Sequence, residues 1–212
     1  MGRDNRKSKA YEYLYDQIVS YKMKPGYSIV EKDVADALNI SRTPVREALN
    51  QLETEGMILH IPSKGCFVSE MTSKDIEDIF FMRKTLEIAA LELSFHSITP
   101  KELDEMEQSM MYVDETIAAE DGYIADRRFH ELIVNRSNNA RLISFIHILS
   151  IPVERLRRVA RFNTDRPKHS KQEHLDIIYA MRAGDYEKTK EKLSSHLENV
   201  KENVLQVYEK FF

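Results

Sequence analysis

The sequence predicts a mainly α-helical protein in which three short helices and a β-hairpin precede a bundle of six helices. Apolar residues recur at helical spacing along most of the 212-residue chain. Only the stretch "MILHIPSKGCFV" has the pattern of two strands around a turn. Glycine- and proline-containing turns separate the helical patterns. We therefore expect two domains, one over residues 1–71 and one over residues 72–212.

Composition excludes several classes of protein. The chain is 42% apolar and 31% charged, as in globular proteins. No apolar run approaches the roughly 20 residues of a membrane span, and no apolar segment follows the basic N-terminus as in a secretory signal. We therefore expect a cytoplasmic protein without a membrane partner. The single cysteine, Cys66, excludes an intramolecular disulfide and a thiolate zinc site.

The N-terminal elements follow from periodicity and turn residues. A first helix is predicted over 9–21 and ends at "KPG", and a second helix is predicted over 31–38, where Val34, Ala37 and Leu38 are apolar. After the turn "NIS", a third helix carries an apolar stripe and ends at Gly56; the stripe consists of Val45, Ala48, Leu49 and Leu52. The hairpin follows, with Gly65 at its turn.

Polar residues of the third helix point away from this stripe. At 100° per residue, the open side receives Arg42, Thr43, Arg46, Asn50 and Gln51. Arginine can bind the O6 and N7 atoms of guanine with two hydrogen bonds, and helix-turn-helix proteins contact bases with the first residues of such a helix. The alternative is an ordinary solvated helix. Residues 1–70 contain ten basic and ten acidic residues, so DNA binding would require a local basic face.

These residues carry a family resemblance. The run "EKDVADALNISRTPVREALNQLETEGMILHIPSKGCFV" resembles the winged helix-turn-helix of the GntR family of bacterial transcription regulators, most specifically in "SRTPVREAL", "EG" and "GCFV". The resemblance implies contacts to operator DNA from the second and third helices and from the wing. The implied residues are Lys32, Arg42 and Arg46, with Thr43 on the DNA backbone and Lys64 and Gly65 in the minor groove. The family often has arginine where Lys32 stands. Lysine carries a single ammonium group and lacks the fork of donors with which arginine binds a base.

The remainder of the chain reads as six helices. The first two begin at capping-box patterns, "TSKD" and "TPKE". A third helix is predicted over 122–136 and a fourth from Ala140 to about Phe162, with a kink at Pro152. Gly184 separates the last two helices.

Ligand-type residues interrupt the apolar faces of three of these helices. Asp126 and His130 share the face of Phe129, whereas His174 and His196 lie in the apolar stripes of the last two helices. If Gly184 turns an antiparallel hairpin, the last two histidines lie about 15 and 18 Å from it, at nearly the same level. Four such groups are costly to bury without compensation, and a divalent metal would supply it.

A histidine on an apolar face is more often a structural residue, but an Asp and a His one turn apart, together with two level histidines, favour a metal site. The other histidines lack such placement, and we expect them to be structural or solvated; they are His60, His96, His147 and His169.

A second resemblance covers this region. "DRRFHELIVNRSNNARLI" and "EHLDIIYAMRAGDYEKTKEKLSSHLENV" are similar to the metal-binding form of the FadR-type C-terminal (FCD) effector domain, in its six-helix variant. The resemblance implies one divalent ion per chain, and the mixed nitrogen and oxygen ligands lead us to expect Zn, Ni or Mn. Its ligands would be Asp126, His130, His174 and His196. Asn138 stands where the family favours glycine, and Thr189 where it favours alanine.

Arg83 lies four residues before Glu87 on the first helix of the bundle. This spacing fits two interpretations equally well: an ion pair on the surface, or a clamp in which Arg83 binds a carboxylate ligand. In the family, an arginine of this helix lies near the effector cavity, and effectors are commonly small organic acids that bind the metal. The resemblance therefore assigns Arg83 to effector binding.

Three functions fit a DNA reader joined to a metal-binding bundle. An enzyme could use the metal to activate water, but Glu131 and Glu173 are expected to point away from the site, which leaves no general base. A regulator could sense the metal itself. The interpretation that we favour is a homodimeric transcription regulator and repressor that binds a pseudo-palindromic operator and responds to a small carboxylate effector.

Overall fold

The computed structural model describes residues 3–112, 119–160 and 166–211. Contacts between Cα atoms divide the chain into two compact units, Met1–Thr72 and Ser73–Phe212. The first unit combines helices with a small sheet, whereas the described part of the second unit is helical throughout. No helix among the described residues is both long enough and apolar enough to cross a membrane.

The first unit is a winged helix-turn-helix, as predicted. Its helices are α1 (Arg3–Val19), α2 (Glu31–Leu38) and α3 (Arg42–Thr54), and its strands are β1 (Ser28–Ile29), β2 (Ile58–Ile61) and β3 (Gly65–Val68). The α3 stripe predicted from the sequence is buried against α1, where Leu14 and Ile18 are also buried. This packing leaves the opposite face of α3 exposed.

The sheet has one strand more than the sequence predicted. Its order is β1-β3-β2, and both pairings are antiparallel. The missed strand β1 has only two residues, which is too short for a detectable alternation. The turn before it places Gly26 at a φ of +76°, and the Gly26 amide donates to the Val68 carbonyl at 2.9 Å. The wing is therefore attached to the segment before α2.

Helix α1 begins six residues before the predicted start at Lys9. Its first turns are polar and so carry no hydrophobic periodicity. Lys9 nevertheless has a structural role, since its ammonium group donates to the Leu38 carbonyl at the end of α2, at 3.0 Å. Of the alanines of α2, Ala37 is exposed, whereas Ala35 is buried.

The second unit contains six helices in its described part, as predicted. They are α4 (Ser73–Ser94), α5 (Pro100–Met111), α6 (Ala119–Arg136), α7 (Ala140–Ala160), α8 (Arg166–Arg182) and α9 (Tyr186–Phe211). The expected end of the fourth helix, Phe162, lies outside the described residues, whereas Pro152 lies inside α7.

Local signals at the helix ends have the expected roles. Thr99 and Glu102 form both hydrogen bonds of a capping box at the start of α5. Asn138, between α6 and α7, has a φ of 51°, in the left-handed region that asparagine tolerates better than most residues and glycine tolerates freely. Thr189 is buried and donates to the Asp185 carbonyl at 2.7 Å, so its hydroxyl is satisfied.

The core of this unit brings α6, α8 and α9 together. Helix α8 packs along α9 and also contacts α6, while α4 packs on both α6 and α9. Phe129, Ile133, Ile177 and Leu193 are almost fully buried in this core. The apolar faces of the same helices, which also carry the ligand-type residues, consequently meet inside the unit.

Candidate functional site

Four ligand-type side chains meet inside the second unit. Asp126 and His130 lie one turn apart on α6, His174 lies on α8 and His196 lies on α9. One ligand atom of each lies within 4.8 Å of the others, and all three imidazoles are buried. The structure thus brings together the four residues that the sequence pattern selected. The other four histidines are exposed, in agreement with expectation; they are His60, His96, His147 and His169.

The spacing of these atoms suits one shared ion. His130 Nε2 lies 3.3 Å from His196 Nε2 and 3.4 Å from His174 Nε2. Two nitrogens that bind one Zn²⁺ at about 2.0–2.1 Å in a tetrahedral site are separated by about 3.3 Å. Asp126 Oδ1 lies 3.3, 3.7 and 4.0 Å from Nε2 of His174, His130 and His196, respectively. The wider carboxylate spacings leave more room than a closed tetrahedral site requires.

Each imidazole is oriented by an acceptor behind it. His130 Nδ1 lies 2.5 Å from Glu87 Oε2, His174 Nδ1 lies 2.7 Å from the Ser170 carbonyl oxygen, and His196 Nδ1 lies 2.7 Å from Glu173 Oε2. Ionised carboxylates and carbonyl oxygens only accept hydrogen bonds, so the hydrogen is carried by Nδ1. The lone pair of each Nε2 atom therefore faces the common centre, as in metal-ligating histidines.

The environment also sets the required protonation states. Burial lowers the pKa of His174 well below its ordinary value and lowers the pKa of His196 to about 4. Burial alone would raise the pKa of Asp126, but Arg157 and the neighbouring histidines outweigh it and hold this pKa well below its usual range. Neutral imidazoles and an ionised carboxylate are the forms that bind a metal ion.

Two arginines hold the carboxylates of the site. Arg157 contacts Asp126 Oδ2 at 2.8 Å, which leaves Oδ1 for the centre. Arg166 donates to Glu173 Oε2 at 2.7 Å, and Asn199 donates to Oε1 of the same residue at 2.8 Å. Burial would raise the pKa of Glu173, but hydrogen bonds from His196 and Arg166 lower it to about 2. Glu173 is thus an ionised acceptor for His196.

The expectation that Glu173 points away from the ligand atoms agrees with the structure, although Glu173 contacts the ligand His196. The expectation was inferred because adjacent residues on a helix differ by 100° in direction. Glu173 faces α9 and reaches His196 on the side opposite to the ligand atoms. Glu131 pairs with Arg127 on the exposed surface of α6. Glu173 therefore orients a ligand and does not lie where it could act on a substrate at the centre.

Arg83 and Glu87 form a buried pair, so the surface-pair interpretation is wrong. Arg83 Nε donates to Glu87 Oε1 at 2.6 Å, and the two side chains are only 5% and 3% exposed. Glu87 uses its second oxygen for His130. The NH1 and NH2 groups of Arg83 are buried without a hydrogen-bond partner among the described residues. Such a guanidinium group is an available anion-binding group, because burying it unsatisfied is costly.

The residues expected to bind DNA are exposed in the first unit. Lys32 lies at the start of α2, Arg42 and Thr43 begin α3, and Arg46 follows one turn later; each of these side chains is exposed. Ser41 is the N-cap residue of α3 but makes no capping hydrogen bond with its side chain. Gln51 departs from expectation, because it is half-buried and donates to Glu55 at 3.0 Å.

The wing tip lies between β2 and β3. Ser63 and Gly65 both have positive φ, and the Lys64 amide donates to the Ile61 carbonyl at 3.0 Å, which closes a tight turn. Lys64 is exposed at this tip. The wing therefore presents a cation next to a glycine, as the sequence predicted.

The groups that support the ligands could not be recognised from the sequence pattern. Arg157 lies on α7, distant in sequence from Asp126, and no local spacing relates the two residues. Glu87 was noted only as the partner of Arg83. In the first unit, Glu31 contacts Arg46, but the sequence shows Glu31 only as an acidic residue at the start of α2. Only the packing of the helices makes these partners visible.

Comparison with known proteins gives consistent matches over both units. Residues 78–199 match the family described as FCD domain, and residues 6–68 match that described as bacterial regulatory proteins, gntR family. The "HTH-type transcriptional repressor RspR" of Escherichia coli is 28% identical over 202 residues, covering 93% of this chain and 88% of that protein. The "Nta operon transcriptional regulator" of Aminobacter aminovorans is 32% identical over 171 residues, with 79% and 80% coverage.

A solved structure matches the second unit. The Zn²⁺-bound FCD domain of TM0439 superposes with a TM-score of 0.58 and 28% identity, covering 68% of this chain and 100% of that one.

Proposed function

Because the chain belongs to the gntR family of bacterial regulatory proteins, with an FCD domain after its DNA-binding domain, we propose that it is a homodimeric repressor controlled by a small organic acid at a metal site. It is a DNA-binding transcriptional regulator, and this family consists of regulators, not enzymes. A proposed repressor role has support from the similar RspR protein, which is named as a repressor.

The proposed DNA reader is the exposed face of α3 with the start of α2 and the wing. Arg42 and Arg46 read bases in the major groove, Thr43 contacts the backbone, and Lys32 adds a phosphate or base contact. Lys64 and Gly65 at the wing tip enter the minor groove. The exposure of these cations on one helix-turn-helix supports this assignment.

The proposed metal ligands are the four convergent residues of α6, α8 and α9. Three Nε2 atoms and one carboxylate oxygen, with spacings of 3.3–4.0 Å, form a donor set for a divalent ion such as Zn, Ni or Mn. The Zn²⁺-bound FCD domain of TM0439 supports this choice. When bound, the ion supplies a Lewis-acidic centre that accepts carboxylate oxygens.

The single observation that carries the proposed effector class is the buried guanidinium group of Arg83. Its NH1 and NH2 groups are buried and have no hydrogen-bond partner among the described residues. A carboxylate bound at the metal centre would satisfy these donors. We therefore propose a small organic acid, held by the metal and by Arg83, in preference to the metal ion alone as the signal.

A second copy of the chain is the proposed partner of the second unit. Phe81 and Met82 on α4, and Phe145 and Ile148 on α7, are large apolar side chains that are 45–70% exposed. Helices α4 and α7 pack against each other, so these residues belong to neighbouring elements. A two-fold dimer would bury such residues and would read a pseudo-palindromic operator.

Mass spectrometry of the native protein, followed by operator titrations, tests this function. Native spectra should show one metal ion and one small acid per chain. Operator affinity is then measured for the metal-free protein, the metal-loaded protein and the metal-loaded protein with the acid. We expect only the acid to weaken binding strongly. If the metal ion alone produces the full response, the protein is a metal sensor and the organic-acid proposal is wrong.

The DNA reader is tested with Arg46→Ala at fixed salt. We expect a loss of about 1–3 kcal/mol in specific operator binding, because one bidentate base contact is removed. Lys101→Ala, at an exposed position on α5 in the second unit, removes the same charge from a residue that is not among the proposed DNA contacts and should leave affinity unchanged. Equal operator affinities for the two variants would contradict the assignment of Arg46.

A further inference from the structure

An acidic residue contacts the proposed base reader directly. Glu31, the first residue of α2, accepts from Arg46 Nε at 2.9 Å through Oε1 and from Arg46 NH2 at 2.8 Å through Oε2. The contact is bidentate, although the side chains of Arg46 and Glu31 remain 65% and 27% exposed. An isolated surface ion pair of this kind contributes little to stability. Its position on the DNA-facing side suggests a different role.

The geometry of the contact leaves one edge of the guanidinium group free. Arginine has five N–H donors, and Glu31 engages the Nε group and one hydrogen of NH2. The NH1 group and the second hydrogen of NH2 form the other edge. That edge has the spacing that matches O6 and N7 of guanine in the major groove. The ion pair can therefore persist while Arg46 contacts a base.

We propose that Glu31 is a specificity-determining positioning residue that holds one edge of Arg46 so that the other edge faces guanine. The inference rests on the proposed role of Arg46 as a base reader. A free arginine side chain must give up rotamer entropy when it is fixed on DNA. Fixing it beforehand reduces this cost and restricts the guanidinium group to one orientation.

The negative charge of Glu31 allows its positioning role to be distinguished from a general effect of charge on DNA affinity. The hydrogen bond from Arg46 is the largest cause that lowers the pKa of Glu31, and the charges of Arg46 and Arg42 act in the same direction. Glu31 is therefore an anion at neutral pH, close to where DNA phosphates would lie. Its removal should strengthen binding to any DNA sequence while weakening discrimination for guanine. If Glu31 instead competed with DNA for Arg46, removal of Glu31 would increase the discrimination for guanine.

The experiment compares Glu31→Ala with Asp33→Ala in the full chain. Asp33 is exposed on the first turn of the same helix, so both variants lose one negative charge near one helix N-terminus. Operator DNA is obtained by selection from random duplexes with the unmodified chain. Each guanine of a half-site is then replaced singly by 7-deazaguanine, which lacks the N7 acceptor. The guanine that Arg46 contacts is the one whose replacement no longer changes operator affinity in the Arg46→Ala variant.

At that guanine, replacement should weaken binding about tenfold for the unmodified chain and for Asp33→Ala. For Glu31→Ala, the loss should fall to about twofold. Both variants should bind an unrelated duplex a few-fold more tightly. Thermal melting of each variant checks that the domain is folded.

Three results would overturn the inference in distinguishable ways. An undiminished tenfold loss in Glu31→Ala would show that Glu31 does not position Arg46. Tighter operator binding with a larger loss at that guanine would show that Glu31 competes with DNA. If Arg46→Ala changes the loss at no guanine, the proposed reading role of Arg46 fails, and the inference fails with it.

Discussion

Each imidazole of the proposed metal centre is held by a different acceptor. His130 is held by a carboxylate from α4, His174 by a backbone carbonyl of its own helix, and His196 by a carboxylate from α8. Two of the three acceptors are carboxylates, and each carboxylate of the site is also paired with an arginine: Glu87 with Arg83, Glu173 with Arg166 and Asp126 with Arg157. Because Nε2 of all three imidazoles and Oδ1 of Asp126 face the centre, this arrangement suits a divalent cation.

Replacement of His174 or His196 by alanine should remove most of the metal. We expect His174→Ala and His196→Ala to lose metal when dialysed against a weak chelator, and to melt at a lower temperature in the presence of metal. The reason is that an ion bound only by the folded state stabilises that state by mass action. Elemental analysis and thermal melting with and without metal measure both effects.

A matched control lies on the same helix. His169 is an exposed histidine on α8, so His169→Ala changes the same residue type outside the centre and should keep full metal occupancy. Should His174→Ala and His196→Ala also keep full occupancy, the metal site lies elsewhere.

Glu173 offers a second test at the residue scale. Glu173→Gln can still occupy the space behind His196 but presents a neutral amide in place of an ionised acceptor. Loss of such a supporting group typically costs 10–100-fold in metal affinity, and we expect a decrease of about this size. Competition with a fluorescent chelator measures the affinity. Glu131→Gln, on the exposed face of α6, is the control, and equal effects of the two changes would argue against a supporting role.

At the scale of elements, a buried series of contacts links α4 to α6, the helix that carries two of the proposed metal ligands. Arg83 contacts Glu87, and Glu87 contacts His130 on α6. Both side chains of the ion pair are almost fully buried, so their mutual compensation matters more than in a surface pair. The first helix of the domain is thus linked by charge, as well as by apolar packing, to the ligands.

Removal of Glu87 from this series of contacts should strongly destabilise the second unit. Glu87→Ala leaves the Arg83 guanidinium buried without its counter-ion, and such a loss typically costs about 3–5 kcal/mol. Urea denaturation in the presence of a chelator would measure the free energy of unfolding without a contribution from metal binding. Glu92→Ala, at an exposed position of the same helix, should change it by less than about 0.5 kcal/mol. A similar small change in Glu87→Ala would contradict the importance of the buried pair.

Element types and ligands were predictable for identifiable reasons. The α3 stripe, the Thr99 capping box and the turn at Gly184 are local signals, and each appears in the structure. The convergence of His174 and His196 followed from helix rise and one turn. By contrast, β1 is too short for a pattern, and the early start of α1 lies in polar residues. These elements depend on contacts between segments.

Side-chain partners across elements were the least predictable. The exposed or buried state of the pair between Arg83 and Glu87 depends on how α4 packs on α6 and α9, which its four-residue spacing does not reveal. Arg157 and Asp126 belong to different helices without a common pattern. Periodicity identifies which face of a helix is apolar but does not identify the helix that will cover it.

At the scale of the whole molecule, effector binding can change DNA binding only if the acid favours one arrangement of the dimer over another. The element suited to this role is α4, because it begins at Ser73, directly after the first unit, and carries the contacts to His130. An acid that engages Arg83 would alter the balance of charges along α4. A change in α4 would then alter the spacing of the two α3 helices in a dimer.

This mechanism predicts reciprocal coupling between acid and operator. We expect the acid to weaken operator binding, and operator DNA to weaken acid binding by the same factor, equivalent to about 1–3 kcal/mol. His130→Ala should abolish the response while leaving acid-free operator binding nearly normal, because His130 joins the metal centre to Glu87. Calorimetric titration of the co-purifying acid into the protein, with and without operator, measures the coupling from one side, and operator titrations measure it from the other. His96→Ala, at an exposed histidine, should retain the response. Equal acid affinities with and without operator would exclude the mechanism even if the metal site is occupied.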